Sequence, residues 1–191
     1  MSKRAHLHLI FGCLLLTGCG GRLYNVASLP SAPAPELTTG EAAGLNVGAR
    51  ALEGDEALER FSANLPMAGV IAVDVKLVNG TSGLVEVSRL QFDLKDRSSR
   101  SLKPLAPRAA LKAVMKYYGD SIYTIAARQR TREDFDAVSL DKRAALAAQE
   151  ERRGILFFQA PRGSTDLRGM ALMITSGGTP MSIPVGPVGD Q

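Results

Sequence analysis

A regular alternation of apolar and polar residues marks one strand more clearly than any other element. Within 69–79, Val73, Val75 and Leu77 alternate with Asp74 and Lys76. A period of two is typical of a strand with one buried face, and the Asn79-Gly80 pair at its end favours a turn. The pattern therefore predicts a β-strand with Asp74 and Lys76 on its polar side.

Further strands are predicted on both sides of a helical middle. Alternation resumes over 84–95, where a phase shift between Val87 and Leu90 indicates a bulge or a break into two strands. A short edge strand is predicted near 101–103. The remaining predicted strands cover 155–158, 170–175 and 181–185, and Pro184 makes the last of these an edge or a tail.

Helices are predicted near 107–118 and 140–153. Pro107 suits a first helical position and Gly119 suits the residue after the end. The second segment is rich in alanine and is followed by Gly154. Its smooth side could receive a partner or simply cover a sheet. The charged run over 128–136 is interpreted as a solvated surface.

Strands, a helical insert and further strands predict a mainly β fold with helical inserts (α+β), arranged as a β-sandwich. The pattern resembles a group of bacterial lipoprotein domains with an immunoglobulin-like fold. The residues that carry the resemblance are Phe61, 69–79, 92–96, Pro104, Leu105 and 154–158. It covers roughly residues 45–175 and implies an Ig-like sandwich, and no catalytic residues come with it.

The first residues have the features of a signal peptide. Lys3 and Arg4 precede an apolar run over 9–16, and no acidic residue occurs before Glu36. That run is far shorter than the roughly 20 residues of a membrane-spanning helix. A basic start followed by a short apolar segment is typical of a peptide that is removed after export, here residues 1–18.

The end of that segment, Leu16-Thr17-Gly18-Cys19, resembles the lipobox of bacterial lipoproteins at all four positions. The resemblance implies cleavage between Gly18 and Cys19 and a diacylglyceryl group on the Cys19 thiol. Several acyl chains anchor a protein firmly, since each buried methylene contributes about 0.8 kcal/mol. An ordinary secretory peptide with a chance cysteine is the alternative.

Gly20 follows Cys19 where some lipoproteins have an inner-membrane retention aspartate, so the resemblance implies a periplasm-facing position on the outer membrane. The inner membrane and the cell surface stay open as alternatives. Residues 19–44, which contain Pro30, Pro33 and Pro35, are expected to form an extended tether that holds the domain off the membrane. The folded domain is expected to cover 45–191.

The composition excludes several classes of functional site. A chain of 191 residues fits one domain. Removal of residues 1–18 takes away both histidines, Cys13, Lys3 and Arg4, so the net charge falls from +4 to +2. The mature chain then has no histidine, and Cys19 is its only cysteine. Disulfides, His- or Cys-ligated metals and histidine-based catalysis are excluded, so no cofactor or metal is predicted. The small excess of positive charge gives no support for a nucleic-acid partner.

Two carboxylate pairs were considered for acid–base chemistry: Asp134 with Asp136, and Glu150 with Glu151. Both pairs stand among arginines, which favours an ion-paired surface. The serines have no histidine to activate them, and no spacing points to a Ser–Lys dyad. No catalytic residue is predicted.

One candidate interaction surface combines aromatic and basic residues near the helices. Its members are Tyr117, Arg128, Arg130, Arg132, Lys142 and Arg143. Such residues suit a sugar, an anion, anionic headgroups or an acidic partner, and a solvated face is the alternative.

These observations predict a membrane-anchored envelope lipoprotein that acts as a non-enzymatic binding or scaffolding module. Its partners would be the membrane, through the lipid, and an envelope protein, while the oligomeric state stays open. One alternative is an accessory or pilot lipoprotein for a secretion or pilus complex. A hydrolase that works without histidine is the other.

Overall fold

The computed structural model describes residues 24–28, 37–42, 44–119, 124–163, 166–178 and 180–186. Within these ranges the chain forms eleven strands and three α-helices. The strands are β1 Thr38–Ala42, β2 Leu45–Ala51, β3 Val70–Asn79, β4 Val85–Glu86, β5 Gln91–Lys95, β6 Ser101–Leu102, β7 Pro104–Leu105, β8 Ala145–Leu146, β9 Glu151–Gln159, β10 Ala171–Thr175 and β11 Met181–Pro184. The helices are α1 Gly54–Phe61, α2 Pro107–Tyr118 and α3 Ile125–Val138.

Two antiparallel sheets pack face to face. The first has the order β1-β2-β3-β9-β7 and the second has the order β11-β10-β5-β6, while β4 and β8 form a separate pair. Alternate residues of β3, including Val73, Val75 and Leu77, share one apolar core with Leu94 and Leu172 of the second sheet. This core is the centre of the predicted β-sandwich.

The helices cover the other face of the first sheet and form a second core there. Phe61 of α1, Phe135 of α3 and Phe157 of β9 meet in this core, with ring centroids 5.2–5.9 Å apart. Strand β3 is therefore buried on both faces over most of its length. The predicted polar side of this strand faces the helical layer.

A single residue separates β6 from β7, so the chain turns from one sheet to the other at Lys103. β6 pairs with β5 at the edge of the second sheet, and β7 pairs with β9 at the edge of the first. One short stretch thus closes the same side of the sandwich in both layers.

The mainly β fold with helical inserts is confirmed, and the helix predicted near 107–118 is α2. The run over 128–136, interpreted as a solvated surface, belongs to helix α3. Ala127, Thr131, Phe135 and Val138 form the buried side of α3. Spacings of four, four and three residues place these side chains on one face of the helix.

The prediction of a helix near 140–153 is wrong. After Leu140 the chain turns at 142–143, forms β8, turns again at 148–149 and enters β9. Backbone partners outside the segment account for this path: Val87 N donates to Ala144 O at 3.0 Å and Gln149 N donates to Asn79 O at 2.8 Å. Tertiary contacts of this kind outweigh the helix propensity of alanine, which is high but only a weak determinant of structure.

Part of the predicted tether belongs to the folded domain. Thr38–Ala42 pairs with β2 in full register, so the sheet begins before residue 45. Residues 24–28 also pack on the domain, where Ala27 N donates to Arg60 O at 2.7 Å and Tyr24 enters the helical core. The predicted signal peptide and Cys19 lie outside the described residues.

Candidate functional site

A cleft of about 810 Å³ opens at the edge of the first sheet, between the start of α2 and the segment that follows α3. Its walls come from three parts of the chain that are distant in sequence. The lining residues are 104–108, 136–137, 139–143 and 155–158.

The cleft exists because β9 has two different neighbours along its outer edge. Leu105 of β7 pairs with Phe157, whereas Ser139 forms a parallel bridge with Ile155. Leu140 N donates to Ile155 O at 3.0 Å and keeps the second neighbour in place. The two neighbours diverge from each other, and the buried apolar residues of β9 form the floor between them.

Charged side chains occupy both rims. On one rim Arg108 Nε lies 3.6 Å from Asp136 Oδ2, which joins α2 to α3. On the other rim Asp141 accepts a hydrogen bond from Arg143 N, and this bond is the main reason that the pKa of Asp141 lies below its ordinary value. Arg143 Nε lies 3.6 Å from Asp141 Oδ1, and the Arg143 side chain is 95% exposed.

Lys142 differs from the other basic residues of the cleft because its amine lies over an aromatic ring. Its Nζ lies 5.5 Å from the centre of the Phe92 ring, a cation–π distance. Partial burial lowers the pKa of Lys142, because removing a charged amine from water disfavours its protonated form. Lys142 and Arg143 give this rim two basic side chains beside the apolar floor, an arrangement that suits a ligand with both anionic and apolar groups.

The structure does not bring the six residues of the predicted interaction surface together in one place. Helices α2 and α3 are antiparallel, since Arg108 at the start of one pairs with Asp136 near the end of the other. Tyr117, at the end of α2, is therefore distant from the cleft, which contains only Lys142 and Arg143 of the six.

The three arginines of α3 also diverge from one another. Arg128 and Arg132 lie one turn apart on the same side of the helix, whereas Arg130 is rotated by about 200° from each. They do not form a single patch on this helix.

A buried ionic cluster around Asp74 is not among the features predicted from the sequence. Asp74 is completely buried and accepts hydrogen bonds from Arg153 Nε at 2.9 Å, Arg153 Nη2 at 2.7 Å and Arg60 Nη1 at 3.3 Å. The bonds to Asp74 are the largest cause of the raised pKa of Arg153. The apolar run that precedes Asp74 in β3 could have indicated a strand buried on both faces, where a carboxylate requires partners.

Three of the four carboxylates in the pairs weighed for catalysis, Asp136, Glu150 and Glu151, take part in surface ion pairs. Glu150 bonds Arg152 at 3.0 Å, Glu151 lies 2.7 Å from Lys76, and Asp136 belongs to the rim of the cleft. Across the described ranges, no group of three or more His, Cys, Asp or Glu residues could hold a metal ion. No helix in the described part of the chain is long and apolar enough to cross a membrane.

No protein-family model matches the chain, and no curated protein matches it. A crystal structure at 2.2 Å of a conserved hypothetical protein from Bacillus anthracis aligns with a TM-score of 0.40 and 14% identity, over 78% of this chain and 96% of that chain. A likeness this low assigns neither a fold family nor a function.

Proposed function

We propose that this protein is a lipid-anchored lipoprotein of the bacterial outer membrane whose periplasm-facing domain is a non-enzymatic binding or scaffolding module. The lipobox Leu16-Thr17-Gly18-Cys19 supports the anchor, since all four positions fit the pattern. The basic n-region and the short apolar run before it support export.

The cleft at the edge of β9 is the observation that carries the binding role. Its volume of about 810 Å³ and its apolar floor with charged rims are typical of a ligand-binding site. We assign it to a segment of an envelope protein that buries apolar side chains on the floor and directs a carboxylate toward Lys142 and Arg143. Opposite charges at a rim increase the rate and specificity of association.

Site-specific crosslinking in intact cells tests the binding role. We place p-benzoylphenylalanine at Ala137, an exposed residue of the cleft lining, and as a control at Ser182, which is exposed on β11. The proposal predicts one discrete adduct from position 137, none from position 182, and loss of the adduct when Arg143→Glu is added. Equal adducts at both positions, or none at 137, would contradict it.

The identity of the crosslinked protein also distinguishes a scaffolding role from the role of a pilot lipoprotein. A secretion or pilus subunit whose assembly fails without the lipoprotein supports the pilot alternative. Lipidation is tested separately by metabolic labelling with palmitate. Label is expected on the wild-type protein and not on Cys19→Ser, and an unlabelled wild-type protein would refute the anchor.

A further inference from the structure

The end of the helical layer near Tyr118 combines exposed apolar side chains with the entry point of the N-terminal segment. Four of the six large apolar side chains that are exposed within the described residues gather at this end: Met67, Tyr117, Tyr118 and Ile125. Ile125 is 87% exposed and Tyr118 is 44% exposed. Exposed apolar groups that gather in one place usually mark an interaction site.

Contacts among these residues hold the cluster together. Tyr117 and Tyr118 meet edge to face with ring centroids 5.0 Å apart. The Tyr118 hydroxyl accepts a hydrogen bond from Asn64 N at 2.9 Å, and Asn64 Oδ1 in turn accepts one from Met67 N at 3.2 Å. Ile125 begins α3, which starts at this end because the two helices are antiparallel.

The described residues of α2 and α3 that lie nearest to the cluster are mainly basic. Helix α2 has no acidic residue, and Lys116 in its last turn lies one turn after Lys112 on the same side of the helix. Helix α3 contributes Arg128, which lies in its first turn at this end. Tyrosines beside a basic helical surface are typical of segments that lie at the interface of an anionic membrane.

The chain itself determines which side of the domain lies nearest to the lipid. Tyr24 is buried beside Tyr118, with ring centroids 6.3 Å apart, and the following residues are tied to α1 by the Ala27 N to Arg60 O bond. Cys19 is only five residues before Tyr24, so the lipid-bearing residue lies at most about 18 Å from this point.

The proline-rich segment 29–36 does not lengthen this connection. It lies between Ser28, which is on the helical layer, and Leu37, which precedes β1. Both of its flanks belong to the folded domain. The distance between the membrane and the domain is therefore governed by the few residues between Cys19 and Tyr24.

We infer that the surface formed by Met67, Tyr117, Tyr118 and Ile125, with Lys112 and Lys116 beside it, rests on the anionic headgroups of the membrane that holds the lipid anchor. The inference rests on the proposed lipid anchor at Cys19. It gives the domain a fixed orientation, with the far end of β3 directed away from the bilayer. The ten residues of β3 separate the two ends by roughly 30 Å.

Because the chain contains no tryptophan, a single introduced tryptophan reports on one position. We place the reporter at Tyr117→Trp, and at Leu84→Trp as a control at the opposite end, where Leu84 is 67% exposed. The lipidated full-length protein is reconstituted in vesicles of phosphatidylethanolamine and phosphatidylglycerol at about 3:1, in which brominated acyl chains quench nearby tryptophan.

The inference predicts roughly twofold or greater quenching at position 117 and none at position 84. Adding Lys112→Glu and Lys116→Glu is expected to reduce the quenching, whereas Arg97→Glu with Lys103→Glu, two exposed cations away from this surface, leaves it unchanged. Flotation of the vesicles reports on the anchor separately.

Protein that floats with the vesicles but shows equal or no quenching at the two positions would refute this orientation and leave the anchor intact. A surface that instead binds an acidic protein would give that result, since the vesicles contain no other protein. Failure to float would refute the anchor and, with it, the orientation.

Discussion

Arg153 of β9 holds Asp74 of the neighbouring strand β3 through two hydrogen bonds, Nε to Oδ1 at 2.9 Å and Nη2 to Oδ2 at 2.7 Å. The two residues are 79 positions apart in the chain. Asp74 has no exposed surface, and Arg60 of α1 supplies a further hydrogen bond to it at 3.3 Å. The cluster thus joins two strands and a helix around one buried charge.

We expect Arg153→Leu to lower the free energy of unfolding by about 3–5 kcal/mol, because it leaves the buried Asp74 carboxylate without its main partner. Urea denaturation of the purified protein measures the change. Arg152→Leu is the matched control on the same strand, since its partner Glu150 is partly exposed and a pair of this kind contributes about 0–1 kcal/mol. Equal losses in the two variants would contradict a special role for Arg153.

Asn79 joins the end of β3 to the segment that contains β8. Its side-chain Nδ2 donates to Gly83 O at 2.7 Å, Leu146 O at 3.0 Å and Ala147 O at 3.1 Å, and its Oδ1 accepts from Thr81 N at 2.9 Å. Asn79→Ala leaves these groups unpaired, which we expect to cost about 2–3 kcal/mol.

Hydrogen exchange measures the local effect of the Asn79 change. The amides of 144–150 are expected to exchange faster in the variant, while those of β10 are unaffected. Asn46→Ala, at an exposed position of β2, is the control and should change neither stability nor exchange in that segment. Protection of 144–150 that persists in Asn79→Ala would disprove the proposed link.

Gly154 allows the backbone at Leu140 to pass directly over β9. A β-carbon at position 154 would collide with the Leu140 backbone, which cannot move without breaking its bond to Ile155 O. We expect Gly154→Ala to destabilise the fold by about 1–3 kcal/mol, visible as a lower thermal midpoint. Gly178→Ala, where the nearest atom is 3.9 Å away, is expected to be neutral. A neutral Gly154→Ala would show that the two segments can separate freely.

Asp166 is expected to make stability depend on pH in the acid range. Hydrogen bonds from the Arg168 side chain, followed by those from its backbone, lower the pKa of Asp166 from 3.8 to about 2. Because the folded state binds this proton less readily than the unfolded state, the contribution is complete above the ordinary pKa and is lost as the pH falls through about 2.

The difference in thermal midpoint between the wild type and Asp166→Asn should therefore narrow from pH 5 toward about pH 2. In Arg168→Leu, an NMR titration should show the pKa of Asp166 rising toward its ordinary value. An unchanged titration in that variant would show that Arg168 is not the cause of the low pKa.

Features determined by neighbouring residues could be predicted from the sequence. Helix α2 begins at Pro107 and ends before Gly119, as the capping pattern indicates. Strand β3 lies where the alternation predicts it and ends at Asn79, before the turn at Gly80. In both cases the determining residues lie within the element or directly beside it.

Features determined by distant partners could not be predicted in the same way. The segment after Leu140 has the composition of a helix, but its backbone bonds reach Val87 and Asn79, more than fifty residues away. The burial of Asp74 depends on the helical layer, which the alternation within β3 does not reveal. The cleft likewise depends on how β7 and Ser139 share the edge of β9.

The short strands β6 and β7, which are joined at Lys103, bear on self-association of this protein at high local concentration. β6 and β7 each occupy one edge of a sheet with two residues, and Pro104 has no amide hydrogen to offer an incoming strand. Short edges and edge prolines discourage strand-to-strand aggregation. If the proposed lipid anchor confines the protein to two dimensions and so raises its effective concentration, short edges on this side of the sandwich would limit self-association there.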